Sequence, residues 1–235
     1  MAPRFDAVLF DAGGVLVLPD PVAIGDALEP YAGSLPHHRF HRAHHDGMRA
    51  LEAPVVDHVG VSLEALDWGD YLSGYVRSLG VTADEVTPAV TAFRRIFSSY
   101  VWRYRIEQSV AALGRLHALG VPLGVVSNAA GQIEAALRYE GVCQVGTGAG
   151  IPVRCVVDSA VVGVAKPDPA IFAPALAAFP GIDPARIAYV GDSAINDVGG
   201  ALAAGLAPLQ LDPFDLYAGV AHERIRSVWD LVDMV

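Results

Sequence analysis

Ala7-Val8-Leu9-Phe10-Asp11-Ala12-Gly13-Gly14-Val15-Leu16 is an apolar run that ends in a carboxylate, with two glycines close behind. A short apolar run bounded by turn residues reads as a buried strand. An Asp has no place in the middle of such a strand. At its carboxyl end the same Asp faces the crevice where open α/β sheets bind their ligands. Gly13 and Gly14 let the backbone come close to whatever Asp11 touches. Taken alone, Asp11 could equally be a turn or cap residue; three later stretches decide between the two.

From Glu107 onward strand and helix patterns alternate. Val121 to Val126 predicts a strand ending in Ser127-Asn128, and Ile187 to Val190 one ending in Gly191-Asp192. Cys155 to Val157 and Ala207 to Leu211 read as further strands. Helices are expected at Ser109–Leu119, Gln132–Tyr139, Asp168–Phe179 and Val198–Ala204. Strands alternating with helices imply βαβ units and a parallel sheet, so the polar ends at Asp11, Ser127-Asn128 and Asp192 fall on one edge. From Val22 to about Tyr104 the texture is mostly helical instead. Ala65, Leu66, Trp68, Tyr71, Leu72, Tyr75, Val76 and Leu79 recur at helical spacing up to a stop at Gly80, and Thr82 with Glu85 has the form of a capping box. The expectation is an α/β Rossmann-like parallel sheet core over 1–17 and 105–235, with a helical domain inserted at 18–104.

Composition narrows the classes of function. In 235 residues, 53% are hydrophobic and 18% charged, enough to build a large buried sheet. A net charge of −10 without a basic run argues against nucleic-acid and anionic-membrane partners. No uncharged apolar run has the length of a membrane span, and Asp6 and Asp11 interrupt any signal-peptide pattern at the N-terminus. Two cysteines, Cys143 and Cys155, suit free thiols in a reducing compartment, the first on a loop and the second in a buried strand. A soluble, cytoplasmic protein is expected. Its oligomeric state leaves no trace in the sequence.

Lys166 is the only lysine, beside fifteen arginines. It stands in Val164-Ala165-Lys166-Pro167-Asp168-Pro169, a rigid turn before a helix. A surface would be served equally well by Arg; a compact ammonium among carboxylates and a phosphoryl group is a more specific need. Asp192 and Asp197 lie five apart on a loop entering a helix, in Gly191-Asp192-Ser193-Ala194-Ile195-Asn196-Asp197. Together with Asp11 they form a carboxylate cluster that would repel itself without a cation. A hard divalent ion, most often Mg²⁺, meets that need.

The set Asp11 with Gly13-Gly14, Ser127-Asn128, Lys166-Pro167-Asp168 and Gly191-Asp192-Ser193 with Asn196-Asp197 resembles the haloacid dehalogenase-like hydrolase superfamily, in order and in spacing, from the first strand to about Pro213. The helical insertion resembles that superfamily's small cap. The resemblance implies a nucleophilic Asp11 forming an aspartyl-phosphate, with Ser127 and the backbone or side chain of Asn128 binding the phosphoryl group. Lys166 would screen the charge between them. Mg²⁺ would be held by Asp11, the Gly13 carbonyl, Asp192 and, directly or through water, Asp197. Ser193 and Asn196 would hold the loop. The cap would set specificity for a small phosphorylated metabolite.

One position departs from the family's phosphatases. They carry a second Asp two residues after the nucleophile, as general acid and base; here that position is Gly13. Such help is typically worth about 10² to 10⁴ in rate. Three readings therefore stand: a phosphatase with its acid from elsewhere or a good leaving group, a slow or inactive phosphate- or partner-binding protein, and a 2-haloacid dehalogenase. The family's dehalogenases also lack the second Asp, but they need no Mg²⁺ and lack the paired acids kept here as Asp192 and Asp197. The phosphonate-cleaving relatives need a second lysine in the cap, and this chain has none. His37, His38, His41, His44, His45 and His58 of the insertion are further acid candidates; a solvated helix face is the expectation for the four that share one side, His37, His41, His44 and His45. Trp68, Tyr71 and Tyr75 are expected in the core of the insertion, and Arg103 and Arg105 on its surface.

Overall fold

The computed structural model describes residues 3–56 and 66–235. The chain divides into two compact units. The first comprises Met1–Val17, Arg105–Pro213 and Val220–Val235; the second comprises Leu18–Tyr104 and Phe214–Gly219.

Ten strands occur along the described chain: β1 Ala7–Phe10, β2 Val17–Pro19, β3 Trp102–Arg105, β4 Leu123–Ser127, β5 Cys143–Val145, β6 Ile151–Val153, β7 Val156–Asp158, β8 Ile187–Gly191, β9 Ala207–Leu211 and β10 Arg224–Ile225. Six of them form one sheet in the order β10-β9-β8-β1-β4-β7, with every recorded pairing parallel. The first strand is thus internal, Phe10 lying level with Val125 of β4 on one side and Val190 of β8 on the other. The fold class is α/β with a parallel central sheet. β2 with β3, and β5 with β6, make two small separate ribbons.

Alternation explains the apolar runs. Val8 and Phe10 pack with Val125, Ala188 and Val190 on one face, while Ala7 and Leu9 pack with Val126, Ile187 and Tyr189 on the other. Both faces are covered, so the strands are apolar throughout. The covering helices of this unit are shorter than their sequence patterns suggest. Residues 168–179 fold as a 3-10 turn at Pro169–Phe172, capped by Asp168, followed by a helix at Ala173–Ala177, where Pro174 has no N–H to carry one helix through. Residues 194–199 form a π-helical turn that leads into a helix at Gly200–Ala203.

The second unit is helical: α1 Pro21–Ala32, α2 His38–Val56, α3 Trp68–Ser78 and α4 Val86–Ile96. Asp67 caps α3 by accepting from the Gly69 N–H at 2.8 Å. Tyr71, Leu72, Tyr75 and Val76 of α3 are buried with Ile24, Leu28, Phe40 and Phe93. Trp68, expected among them, stands half exposed at the first position of α3. Thr82 does not begin a helix. Its hydroxyl donates to the Glu85 carboxylate at 3.2 Å, and α4 starts one residue beyond Glu85 with no side-chain cap.

The cysteines exchange their expected places. Cys143 is fully buried in β5, and burial pushes its thiol up to about 12; Cys155 is half-buried just before β7, its thiol pushed up to about 11. Both are free thiols. No helix among the described residues is long and apolar enough to cross a membrane.

Candidate active site at the carboxyl edge of the sheet

Asp11 follows the last residue of β1, and its N–H donates to the Val190 carbonyl of β8 at 2.8 Å. The chain then doubles back at once: Leu16 and Val17 N–H both donate to the Ala12 carbonyl at 2.9 Å. Gly14 takes a φ of 70°, a left-handed conformation that favours glycine, so this turn selects its residue. Gly13 is not in that region and keeps some exposure.

On one side, β4 brings Ser127 level with Asp158 of β7. The loop beyond Ser127 is tied down by that acid. Asp158 accepts from the N–H groups of Gly131, Ile133 and Ala160 at 2.9 to 3.3 Å. Asn128 acts as a clamp: its Oδ1 accepts from the Lys166 N–H at 2.8 Å, and its Nδ2 donates to the Lys166 carbonyl at 3.0 Å. Both ends of its amide thereby hold the lysine's backbone, each with one further hydrogen-bonding position to spare.

On the other side, β8 delivers Gly191-Asp192. A Cβ at Gly191 would lie 2.1 Å from Cγ of Asp197, so glycine is what lets that acid fold back over the strand end. The π-helical turn is capped by Ser193, whose Oγ accepts from the Asn196 N–H at 2.9 Å. π-Turns recur at functional sites. Here the turn holds Asp197 with its Oδ2 accepting from the Ser193 N–H at 2.9 Å.

These elements bring Asp11, Asp192 and Asp197 together, one carboxylate oxygen of each lying within 4.8 Å of the others. Lys166 enters the cluster from the loop before Pro169. Its Nζ lies 2.9 Å from Asp11 Oδ1 and 2.7 Å from Asp197 Oδ1. Lys166 and Asp197 side chains are 2% exposed, whereas Asp11 keeps 13%.

The electrostatics follow. Burial pushes Asp11 up, Lys166 pulls it down, and the neighbouring acids raise it again, leaving it at about 6. Burial and then Asp197 push Asp192 well above the carboxylate range. Burial pulls Lys166 down, but Asp11 and Asp197 outweigh it and hold the ammonium above its ordinary value. Three carboxylates around one ammonium leave an excess of negative charge. An all-oxygen donor set with that excess fits a hard divalent cation such as Mg²⁺.

Sequence reasoning did not single out Tyr189. It is fully buried in β8, its ring edge-on to Phe172 at 4.9 Å, and its hydroxyl touches both Lys166 and Asp197. The available signal was a phenol in an otherwise aliphatic strand. The histidines of α2 also depart from the expected solvated face. His44 and His45 are buried, His44 Nδ1 lies 3.0 Å from the Tyr71 hydroxyl, and His45 Nε2 lies 3.3 Å from His41 Nε2. Only His37 and His38 of the group are exposed, and His58 lies outside the described residues. Arg103 pairs with Asp20 and Arg105 with Glu107.

A parallel sheet carrying an acid–lysine cluster on its carboxyl edge defines a class of α/β protein that engages its ligand at that edge. Within this class the chain belongs to the haloacid dehalogenase-like hydrolases, whose family model matches residues 5–205. No curated protein matches the chain in sequence. Solved structures share its fold at low identity. YfnB from Bacillus subtilis, assigned to the HAD hydrolases and bound to magnesium, superposes with a TM-score of 0.59 at 18% identity, covering 98% of each chain. A HAD phosphatase from Thermococcus onnurineus gives 0.56 at 19%, covering 97% of each. A 2-haloacid dehalogenase from Pseudomonas syringae pv. tomato gives 0.50 at 21%, covering 98% of this chain and 97% of that one.

Proposed function

We propose that this hydrolase is a Mg²⁺-dependent phosphatase of a small phosphorylated metabolite, working through a phosphorylated Asp11. The observation that carries the reading is the cluster itself: a partly exposed Asp11 whose Oδ1 faces Lys166 at 2.9 Å, flanked by the paired acids Asp192 and Asp197. An Asp11 oxygen attacks phosphorus, and the bond from phosphorus to the leaving oxygen breaks with its electron pair. Water then attacks the phosphorus of the aspartyl-phosphate, releasing phosphate and restoring the carboxylate. Ser127 and the backbone or side chain of Asn128 bind phosphoryl oxygens, and Lys166 neutralises charge as it moves from substrate to Asp11. Asp11, the Gly13 carbonyl, Asp192 and, directly or through water, Asp197 would hold Mg²⁺, which would supply further neutralisation of the phosphoryl group.

Gly13 offers no proton to the leaving oxygen, which favours substrates whose leaving groups need none. The same gap supports a second reading, a slow phosphate-binding protein with an otherwise complete site. A dehalogenase is the weaker third, because the paired acids have no task in halide displacement.

Hydrolysis of p-nitrophenyl phosphate separates them, since its leaving group departs unprotonated. Turnover that requires Mg²⁺ and disappears in Asp11→Asn is the expected result. Turnover equal in wild type and Asp11→Asn would overturn the nucleophile assignment. Absence of turnover in both moves the site to the binding reading, and halide release from 2-haloacids then checks the third.

A further inference from the structure

Tyr189 lies beneath the acid cluster with a hydroxyl that three groups approach. Lys166 Nζ is at 2.8 Å, the Val126 carbonyl at 2.9 Å and Asp197 Oδ1 at 3.1 Å. Elementary donor counting fixes the lysine's side of this network. An ammonium has only donors, so the phenol oxygen accepts from Lys166. The phenol has one proton, which the Val126 carbonyl at 2.9 Å and Asp197 Oδ1 at 3.1 Å are both placed to accept.

The consequence for the lysine is geometric. Two of its three N–H bonds are aligned, one on Tyr189 and one on Asp197. Asp11 Oδ1 sits 2.9 Å away as an ion pair, yet it receives no aligned hydrogen bond among its described partners. With two N–H bonds engaged, one is left, and Asp11 Oδ1 is the carboxylate oxygen that stands 2.9 Å from Nζ. Val126 immediately precedes Ser127, so the same hydroxyl also ties the ammonium to the strand that carries the phosphoryl-binding serine.

We propose that Tyr189 is a positioning residue: its hydroxyl locks the Lys166 ammonium so that one N–H faces Asp11 and the group it attacks. The kinetic part of this inference rests on the phosphatase reading; the structural part does not. Tyr189→Phe is the test, because it keeps the ring against Phe172 and removes only the hydroxyl. Lys166 is the sole lysine, so protein labelled with ¹³C,¹⁵N-lysine gives one side-chain ammonium signal, assigned without ambiguity. In wild type that signal is expected to show slow proton exchange. In Tyr189→Phe it is expected to shift and to exchange about tenfold faster or more, a loss of the size one hydrogen bond carries. With p-nitrophenyl phosphate, kcat is expected to fall about tenfold with KM little changed, since the lost interaction serves the transition state.

An ammonium signal unmoved by Tyr189→Phe overturns the inference. A moved signal with kcat unaltered overturns the positioning role. If the wild type itself shows no turnover, the phosphatase reading fails, and the ammonium signal alone decides whether Tyr189 holds Lys166. A melting temperature equal to wild type verifies that the variant is folded.

Discussion

Asp197 occupies space that a side chain at position 191 would fill. The nearest approach of a Cβ there is 2.1 Å to Cγ of Asp197, with its Cβ at 2.3 Å. Those atoms belong to a short side chain gripped by Lys166 and the Ser193 N–H, so it has little room to yield. Gly191→Ala should therefore cost about 2 kcal/mol or more of stability and weaken Mg²⁺ binding at the same time. Urea denaturation together with Mg²⁺ titration would read both; a variant with wild-type values for each would remove Asp197 from the role given to it. Gly13 is the opposite case. Its backbone makes no demand for glycine and its position is partly open. Gly13→Asp places a carboxyl two residues beyond Asp11, the proposed nucleophile. If proton supply is what the site lacks, hydrolysis of alkyl phosphates should rise by one to two orders of magnitude, on the order of 10- to 100-fold, while p-nitrophenyl phosphate gains little. Equal gains on both substrates would point away from leaving-group protonation.

Helix α2 carries its chemistry inward. Burial lowers His41 to about 4, with the nearby His44 contributing, and lowers His45 well below its ordinary value. The unfolded chain takes up protons on these rings as pH falls through about 6.5, and the folded unit resists doing so until much lower pH. Their contribution is thus fully present above pH 6.5 and is lost as pH falls toward the folded values, with His41 alone accounting for up to about 3 kcal/mol. Denaturation midpoints measured from pH 7.5 down to 4.5 should fall steeply in wild type and less so in His41→Gln/His45→Gln. Parallel slopes would show that other groups govern the acid limb. The inward turn of these rings could not be read from spacing. Periodicity places four histidines on one side of a helix without saying what that side meets, and here the aromatic rings of Tyr71, Trp102 and Phe214 surround them. Short elements escaped for a related reason: β5 and β6 have three residues each, too few for alternation to show.

At the scale of the molecule, the parallel sheet and its polar edge were legible because each of three strands breaks its apolar run with a polar residue at the same end. Asp11, Ser127 and Asp192 could be placed on one edge from that pattern alone. Side-chain partnerships that join distant stretches were not legible. The amide of Asn128 clamping the backbone of Lys166, and the Tyr189 hydroxyl meeting Val126, link residues 38 and 63 positions apart, and neither residue type advertises its partner. The same holds for Phe214–Gly219, six residues of no periodicity that pack with the helical unit rather than with the sheet that flanks them in sequence.

That small segment limits how the helical unit can be handled as a cassette. Tyr217 donates to Glu52 at 2.6 Å, Leu216 accepts from Arg49, and Phe214 stacks under the Arg42 guanidinium. A graft cut at 18 and 104 would carry Glu52, a buried acid, without the phenol that meets it, and would leave Phe214 and Tyr217 on the donor. An intact exchange between relatives has to move two pieces of chain at once, and the shorter one is invisible to any boundary drawn around the longer.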